Sequence, residues 1–326
     1  MHKPKLKFSQ EKKQRVNFYA SDMEKSGVDI TLEFQGVEPT NPPEWNDTLK
    51  WGAGKGVELA MVNILKQNGI VDSEFDQESL ESTKIEREGV KISMKFDARV
   101  KEDMEMETES IGLPQNEKVK LNKDEVIEIK SINNKNSFDI QKYIDGYPRT
   151  NYVKQLACYL DALNMTRGHL FASSIDGLNF FWFVCEKQSE GVYKCGNTIV
   201  NITDEYKRFK TIWDNLKKEI DLGIYGKIQV FNEPNWNEEI YKLPIEKVDW
   251  TKLSTTAISE ARNNRKVFGS ENSWKILYSS YLDLILEKQK TKRGYTEAEL
   301  EKIKELTAGY TSTKKKADII QPTPAK

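Results

Sequence analysis

The sequence predicts a mixed α/β fold, and three observations carry that reading. Residues 90–100 alternate apolar and polar side chains without a break, the period-two signature of a half-buried strand. Residues 125–132, EVIEIKSI, form a second run rich in β-branched side chains. Before and after them lie two helical patterns, one apolar nearly all round over residues 54–65 and one amphipathic over residues 151–163.

With 326 residues the chain can bury one large core or two modest ones. Charged residues make up 31% and the net charge is −1, which argues against a generic nucleic-acid coat but is compatible with a local basic groove around an acidic centre. No apolar run approaches the roughly 20 residues that span a bilayer. Nor does an apolar signal core follow Met1-His2-Lys3-Pro4-Lys5, so a cytoplasmic location and no membrane partner are expected. Cys158, Cys185 and Cys195 are odd in number and lack CxxC spacing, which predicts reduced, partly buried thiols rather than a disulfide framework or a zinc knuckle.

Taken in order, Ser9 is placed to cap a helix running to about Met23 and carrying Val16, Phe18 and Tyr19. Lys12, Lys13 and Arg15 on it are either a solvated face or phosphate contacts. Residues 26–50 read as a connection marked by Gly and Pro, ending in Asn41-Pro42-Pro43-Glu44-Trp45. The helix from Gly54 to Leu65 is expected to be buried, and Glu58 within it then needs a partner, because an ionised carboxylate is costly to bury alone. That partner is either a Lys or Arg side chain or a metal ion.

Residues 72–88, acidic and polar, predict a surface loop or a short helix. In the alternating strand, Val90, Ile92, Met94, Phe96, Ala98 and Val100 form the apolar face, with Asp97 towards the far end of the polar one. The polar stretch 101–124, with Gly112 and Pro114, reads as an extended hairpin or flap, or else as a disordered insert. Then, in residues 125–132, Glu128 and Lys130 share one strand face while Ile127 and Ile129 point to the other. Such a pair is either a surface ion pair or a carboxylate and an ammonium set beside a metal and a reactive water.

A polar stretch leads to Arg149, and in the helix that follows Gln155 and Tyr159 stand one turn apart on one side. Residues 168–172 and 179–184 predict a strand pair around Asp176-Gly177, with His169 a structural residue. Thr203 to Ile220 predicts a helix with Tyr206, Phe209, Trp213 and Leu216 on its stripe. Beyond the linker-like Asn232-Glu233-Pro234-Asn235-Trp236, helices are expected near residues 272–288 and from the capping box Thr296-x-x-Glu299. The tail after Thr311, with Lys314-Lys315-Lys316, is expected to be disordered.

Glu58 on a helix, Asp97 ending a strand, Glu128-x-Lys130 on the next and Gln155-x-x-x-Tyr159 on the following helix stand in an order that resembles the PD-(D/E)xK nuclease superfamily. The likeness is to its RecB-like and lambda-exonuclease-like branch and covers about residues 50–185. Where many RecB-like members carry histidine this chain has Glu58, as other branches do. The resemblance implies a restriction-endonuclease-like αβββαβ core, a mixed central sheet flanked by helices. Together with the linker-like stretch at 232–236 and the Lys- and Pro-bearing tail, it divides the chain into a nuclease domain at 1–228 with an N-terminal helical segment, a helical C-terminal region at 229–310 and a disordered basic tail at 311–326.

It also implies the chemistry: one or two Mg2+ or Mn2+ ions on Glu58, Asp97, Glu128 and the Ile129 carbonyl, hard oxygen donors such ions prefer. Lys130 would orient the attacking water, and Gln155 and Tyr159 would position the DNA backbone or the lysine. No iron–sulfur cluster is expected, since relatives that hold one use four cysteines. The implied function is a DNA exonuclease of recombination, repair or replication, from a phage or mobile element. The alternatives are a structure-specific or restriction-like endonuclease of the same fold, and a non-catalytic DNA-binding or scaffold subunit. DNA is the expected partner, joined through the C-terminal region by a helicase, an annealing protein or another recombination protein.

Overall fold

The computed structural model describes residues 15–40, 45–76, 82–107, 118–132, 137–175 and 179–234, together with 279–281, 284 and 301. Two compact units divide the chain. One is Asn17–Glu24 with Leu49–Asp214; the other is Met1–Val16, Lys25–Thr48 and Asn215–Lys326.

In chain order the elements are β1 (Phe18–Tyr19), α1 (Gly27–Phe34), α2 (Trp45–Gln67), β2 (Thr83–Arg87), β3 (Val90–Met94), β4 (Ala98–Arg99), β5 (Met104–Glu107), β6 (Lys118–Leu121) and β7 (Val126–Ile132). Then come α3 (Ser137–Ile144), α4 (Thr150–Ala162), β8 (Arg167–Ser174), β9 (Phe180–Ser189), β10 (Val192–Cys195), β11 (Thr198–Asn201), α5 (Ile202–Asp214), β12 (Lys217–Asp221) and β13 (Lys227–Phe231). The protein is mixed α/β, as expected.

The larger sheet runs β11-β10-β9-β8-β7-β4, and its one parallel pair is β7 with β8. A parallel pair needs a crossover, which α3 and α4 supply. Leu156, Cys158 and Leu160 of α4 are fully buried, and the helix closes on the sheet at Gly168, where a Cβ would stand 2.8 Å from Leu160 and 3.1 Å from the Val126 carbonyl. Against Ile127, Ile129, Phe171 and Trp182 pack Met61, Val62 and Leu65 of α2. Both faces of the sheet are therefore covered, and β7 is buried at four consecutive residues, Val126 to Ile129.

The stretch 90–100 is not one strand. β3 pairs with β1 and β2 in a three-stranded sheet, the chain breaks at Lys95-Phe96-Asp97, and β4 joins the larger sheet beside β7. Its expected apolar face is nevertheless buried throughout, from Val90 to Val100. Alternation reports which side chains are buried, and two sheets can share one alternating run. β2 stands where a loop or short helix was expected, joined to β3 by Glu88 and Gly89 at φ 51° and 74°, the doubly left-handed turn that suits a two-residue hairpin.

The described part of the N-terminal helix, from residue 15, is not helical up to Tyr19: Phe18 is buried in a stack on Phe209 while Tyr19 faces outward, the alternation of a strand. The expected connection 26–50 holds α1, capped by the Ser26 hydroxyl accepting from the Asp29 amide, and the start of α2. The polar stretch before Arg149 holds α3, anchored by buried Tyr143 against Phe181 and Phe183. α5 stops at Asp214, not Ile220, and residues 217–221 pair with β13 instead. β5 and β6 form the expected hairpin, and β8 with β9 the expected pair, while Asp176-Gly177 lies outside the described residues.

In the other unit Ser279 donates to Asp29 at 2.6 Å and the Tyr281 hydroxyl to the Val37 carbonyl at 3.0 Å. Residues 279–281 form a turn inside one expected helix; most of the C-terminal helices and the tail lie outside the described residues. Among the described residues no helix is long and apolar enough to cross a membrane.

Candidate active site

β7 builds the site. Its pleat puts Glu128 and Lys130 on one face, and the Lys130 ammonium donates to Glu128 Oε1. Glu128 is 1% exposed and its second oxygen, Oε2, is buried without a hydrogen-bond partner. The break between β3 and β4 brings Asp97 alongside: its amide donates to the Ile127 carbonyl at 3.2 Å, and the Ile129 amide donates to Asp97 Oδ2 at 2.6 Å. The expected strand end is thus a buried kink locked to β7 by both main chain and side chain.

Burial raises the Asp97 pKa, and the Glu128 charge raises it further against the opposing pull of Lys130. Burial likewise raises Glu128, with Lys130 the main opposing influence. Burial disfavours the Lys130 ammonium, but the two carboxylates more than offset it, so the lysine stays charged. Two buried carboxylates and one ammonium leave a net negative charge in a low-dielectric pocket, which is stable only with a further proton or cation. Glu128 Oε2, buried without a hydrogen-bond partner, is an acceptor that such a proton or cation would meet.

Glu58 departs from expectation. α2 is not buried nearly all round: Trp51, Leu59 and Ile64 are exposed, and only Met61, Val62 and Leu65 in the site-bearing unit are buried along it. Glu58 is partly exposed and pairs with Lys55 at 2.7 Å, one turn back, although its charge still reaches Asp97 and Glu128. Among the described residues no group of three or more His, Cys, Asp or Glu is placed to share an ion.

Gln155 and Tyr159 meet as the helical spacing predicts. The Gln155 amide donates to the Tyr159 hydroxyl at 2.7 Å, and that hydroxyl donates to the Lys95 carbonyl at 3.0 Å. The pair therefore braces the kink two residues from Asp97. Sequence reasoning missed Tyr152, whose ring lies 5.6 Å from the Lys130 ammonium and 5.7 Å from the Arg149 guanidinium. Its spacing of three from Gln155 on the same helix was the available signal. It missed Gly54 too: a Cβ there would stand 2.8 Å from the Ser131 hydroxyl, so glycine lets α2 close against β7 next to Lys130.

His169 is the expected structural residue. Trp182 Nε1 donates to its Nδ1 at 3.1 Å, which leaves Nε2 to donate to Glu125 Oε2 at 2.8 Å. Burial would raise the Glu125 pKa, but the His169 and Asn122 hydrogen bonds hold it down at about 2.

No protein-family model and no curated protein matches the sequence. Among solved structures, the chain is similar to that titled SSO0001 at 16% identity and a TM-score of 0.37, over 74% of this chain and 90% of that one. It is also similar to an alkaline exonuclease, LHK-Exo, from Laribacter hongkongensis at 12% identity and a TM-score of 0.33, over 60% and 84% of the two chains. Likenesses this slight carry no weight for function, which rests on the residues of the site.

Proposed function

We propose that the protein is a metal-dependent DNA exonuclease that hydrolyses phosphodiester bonds, with a place in recombination, repair or replication. The observation that carries this reading is the cluster of buried Asp97 and Glu128 with half-buried Lys130, in which one Glu128 oxygen has no hydrogen-bond partner. Asp97, Glu128 and the Ile129 carbonyl would hold Mg2+ or Mn2+, and Glu58 would have to leave its pairing with Lys55 to join them. Such an ion supplies charge neutralisation at the phosphorus and a water of lowered pKa.

The chain's own residues do the rest. Lys130, kept as an ammonium by Glu128 and Asp97, is a hydrogen-bond donor and not a base. It orients the attacking water through its donors while Tyr152 beside it limits its freedom. The Ile129 amide fixes the Asp97 carboxylate, and the Gln155–Tyr159 pair fixes the loop that carries it.

The test is digestion of linear and covalently closed circular duplex DNA with Mg2+, with Mn2+ or with EDTA. Linear DNA is expected to disappear from its ends, circles to survive and EDTA to stop the reaction. Defined fragments from closed circles would make the protein an endonuclease, and full activity in excess EDTA would remove the metal from the reading.

A further inference from the structure

A cleft of about 390 Å3 adjoins the site. Gln155, Tyr159 and Lys95 line it, so it borders the kink that carries Asp97. Its other lining residues include Tyr19, Asn17 and Lys84. Lys84 and Lys95 are exposed, and among the described residues the cleft is lined by these two cations and by no carboxylate. Tyr19 is 43% exposed because β1 alternates, sending Phe18 into the core and Tyr19 outward.

The lining therefore offers an aromatic ring, two cations and the amides of Asn17 and Gln155. That set matches a ligand with a flat aromatic part, hydrogen-bonding edges and a phosphate. The volume lies at the low end of the range for ligand pockets, about 300–1,000 Å3, which admits one nucleotide and not a duplex.

We propose that this cleft receives one unpaired nucleotide of the substrate strand, its base against Tyr19 and its phosphate against Lys84 and Lys95; that the strand is a nuclease substrate rests on the reading above. The base and not only the phosphate is recognised, so the protein favours DNA with a single-stranded end. Stacking on an aromatic side chain is indifferent to base identity, so the preference is for an unpaired base of any kind.

The experiment measures binding in EDTA, where no cleavage intervenes. Fluorescence anisotropy compares wild type, Tyr19→Ala, Tyr19→Phe and Lys84→Ala on a duplex with a short single-stranded end. The end carries either all its bases or abasic residues, and free dTMP serves as competitor. Tyr19→Ala is expected to weaken binding of the intact end about 10-fold and the abasic end hardly at all, with Tyr19→Phe restoring affinity. Lys84→Ala is expected to weaken both ends alike.

Equal losses for Tyr19→Ala on both ends, no loss on either, or no binding by wild type would overturn the proposal. Tyr19-dependent binding of dTMP tighter than that of the intact end would overturn it in favour of a free-nucleotide site. A wild type that shows the Tyr19-dependent preference yet cuts nothing with Mg2+ would sink the nuclease reading and support this one.

Discussion

Glu128 has one oxygen on an ammonium and one without a hydrogen-bond partner, with the Asp97 carboxyl against it, and the behaviour of the site follows from that imbalance. Replacing Asp97 or Glu128 with the isosteric amide removes charge but little packing. Asp97→Asn and Glu128→Gln are therefore expected to abolish cleavage while leaving the circular dichroism spectrum and Tm near those of wild type in EDTA. A large drop in Tm for both would make the pair structural. Lys130→Ala is expected to lower kcat by about 10²–10⁴-fold with DNA affinity preserved, since the lysine acts on the water. Equal losses of affinity and turnover would recast it as a phosphate anchor.

Away from the site, Glu205 shows the opposite electrostatics. Burial alone would raise its pKa from 4.5, but Arg208 and Lys154 overcome it and hold the carboxyl at about 2. A depressed carboxylate contributes stability that is present above its unfolded pKa and lost as pH falls through its folded one. Glu205→Gln should remove roughly 3 kcal/mol near neutrality and flatten the loss of stability between about pH 4.5 and 2, read by urea denaturation across that range. A variant whose acid limb parallels wild type would show that the triad contributes nothing net.

Among elements, α2 is the one whose sequence and position disagree most. It carries Gly52, Gly54 and Gly56 in mid-helix, where each costs about 0.5–1 kcal/mol relative to alanine. Only Gly54 has a steric reason, the Ser131 hydroxyl; nothing lies within 4 Å of a Cβ at the other two. Gly56→Ala should accordingly raise Tm. Gly54→Ala should gain less or lose, and lower activity by pushing α2 off the strand that bears Lys130, with Ser131→Ala in the same chain restoring both. Equal gains at both glycines would show that Ser131 turns aside freely.

For the molecule as a whole, the unit holding Asp97, Glu128, Lys130, Gln155 and Tyr159 closes at Asp214, and Lys25–Thr48 within the chain belongs to the other unit. Truncation after Tyr225 removes Ser279 and Tyr281, which bond to Asp29 and Val37 in that other unit. The truncated protein is expected to keep some metal-dependent cleavage while residues 25–40 exchange their amide hydrogens faster. A folded but inert truncation would place part of the active site beyond residue 225.

How much of this was legible in the sequence follows from the range of the forces involved. Strand pleat and helix pitch are local, so the shared face of Glu128 and Lys130, the meeting of Gln155 with Tyr159 and the buried side of residues 90–100 could all be read directly. Those periods say which way a side chain points within its own element. They do not say which sheet a strand joins, how deeply a helix sits or where a strand breaks. Only the tertiary structure decided that Asp97 occupies a kink between two sheets, because what holds it there is an amide 32 residues away on β7 and a tyrosine hydroxyl on α4, 64 residues from the Lys95 carbonyl that accepts from it. It likewise left Glu58 partly exposed beside Lys55: an apolar sequence makes a helix able to be buried, but burial needs partners, and among the described residues α2 finds them where Met61, Val62 and Leu65, with Val57, meet the sheet.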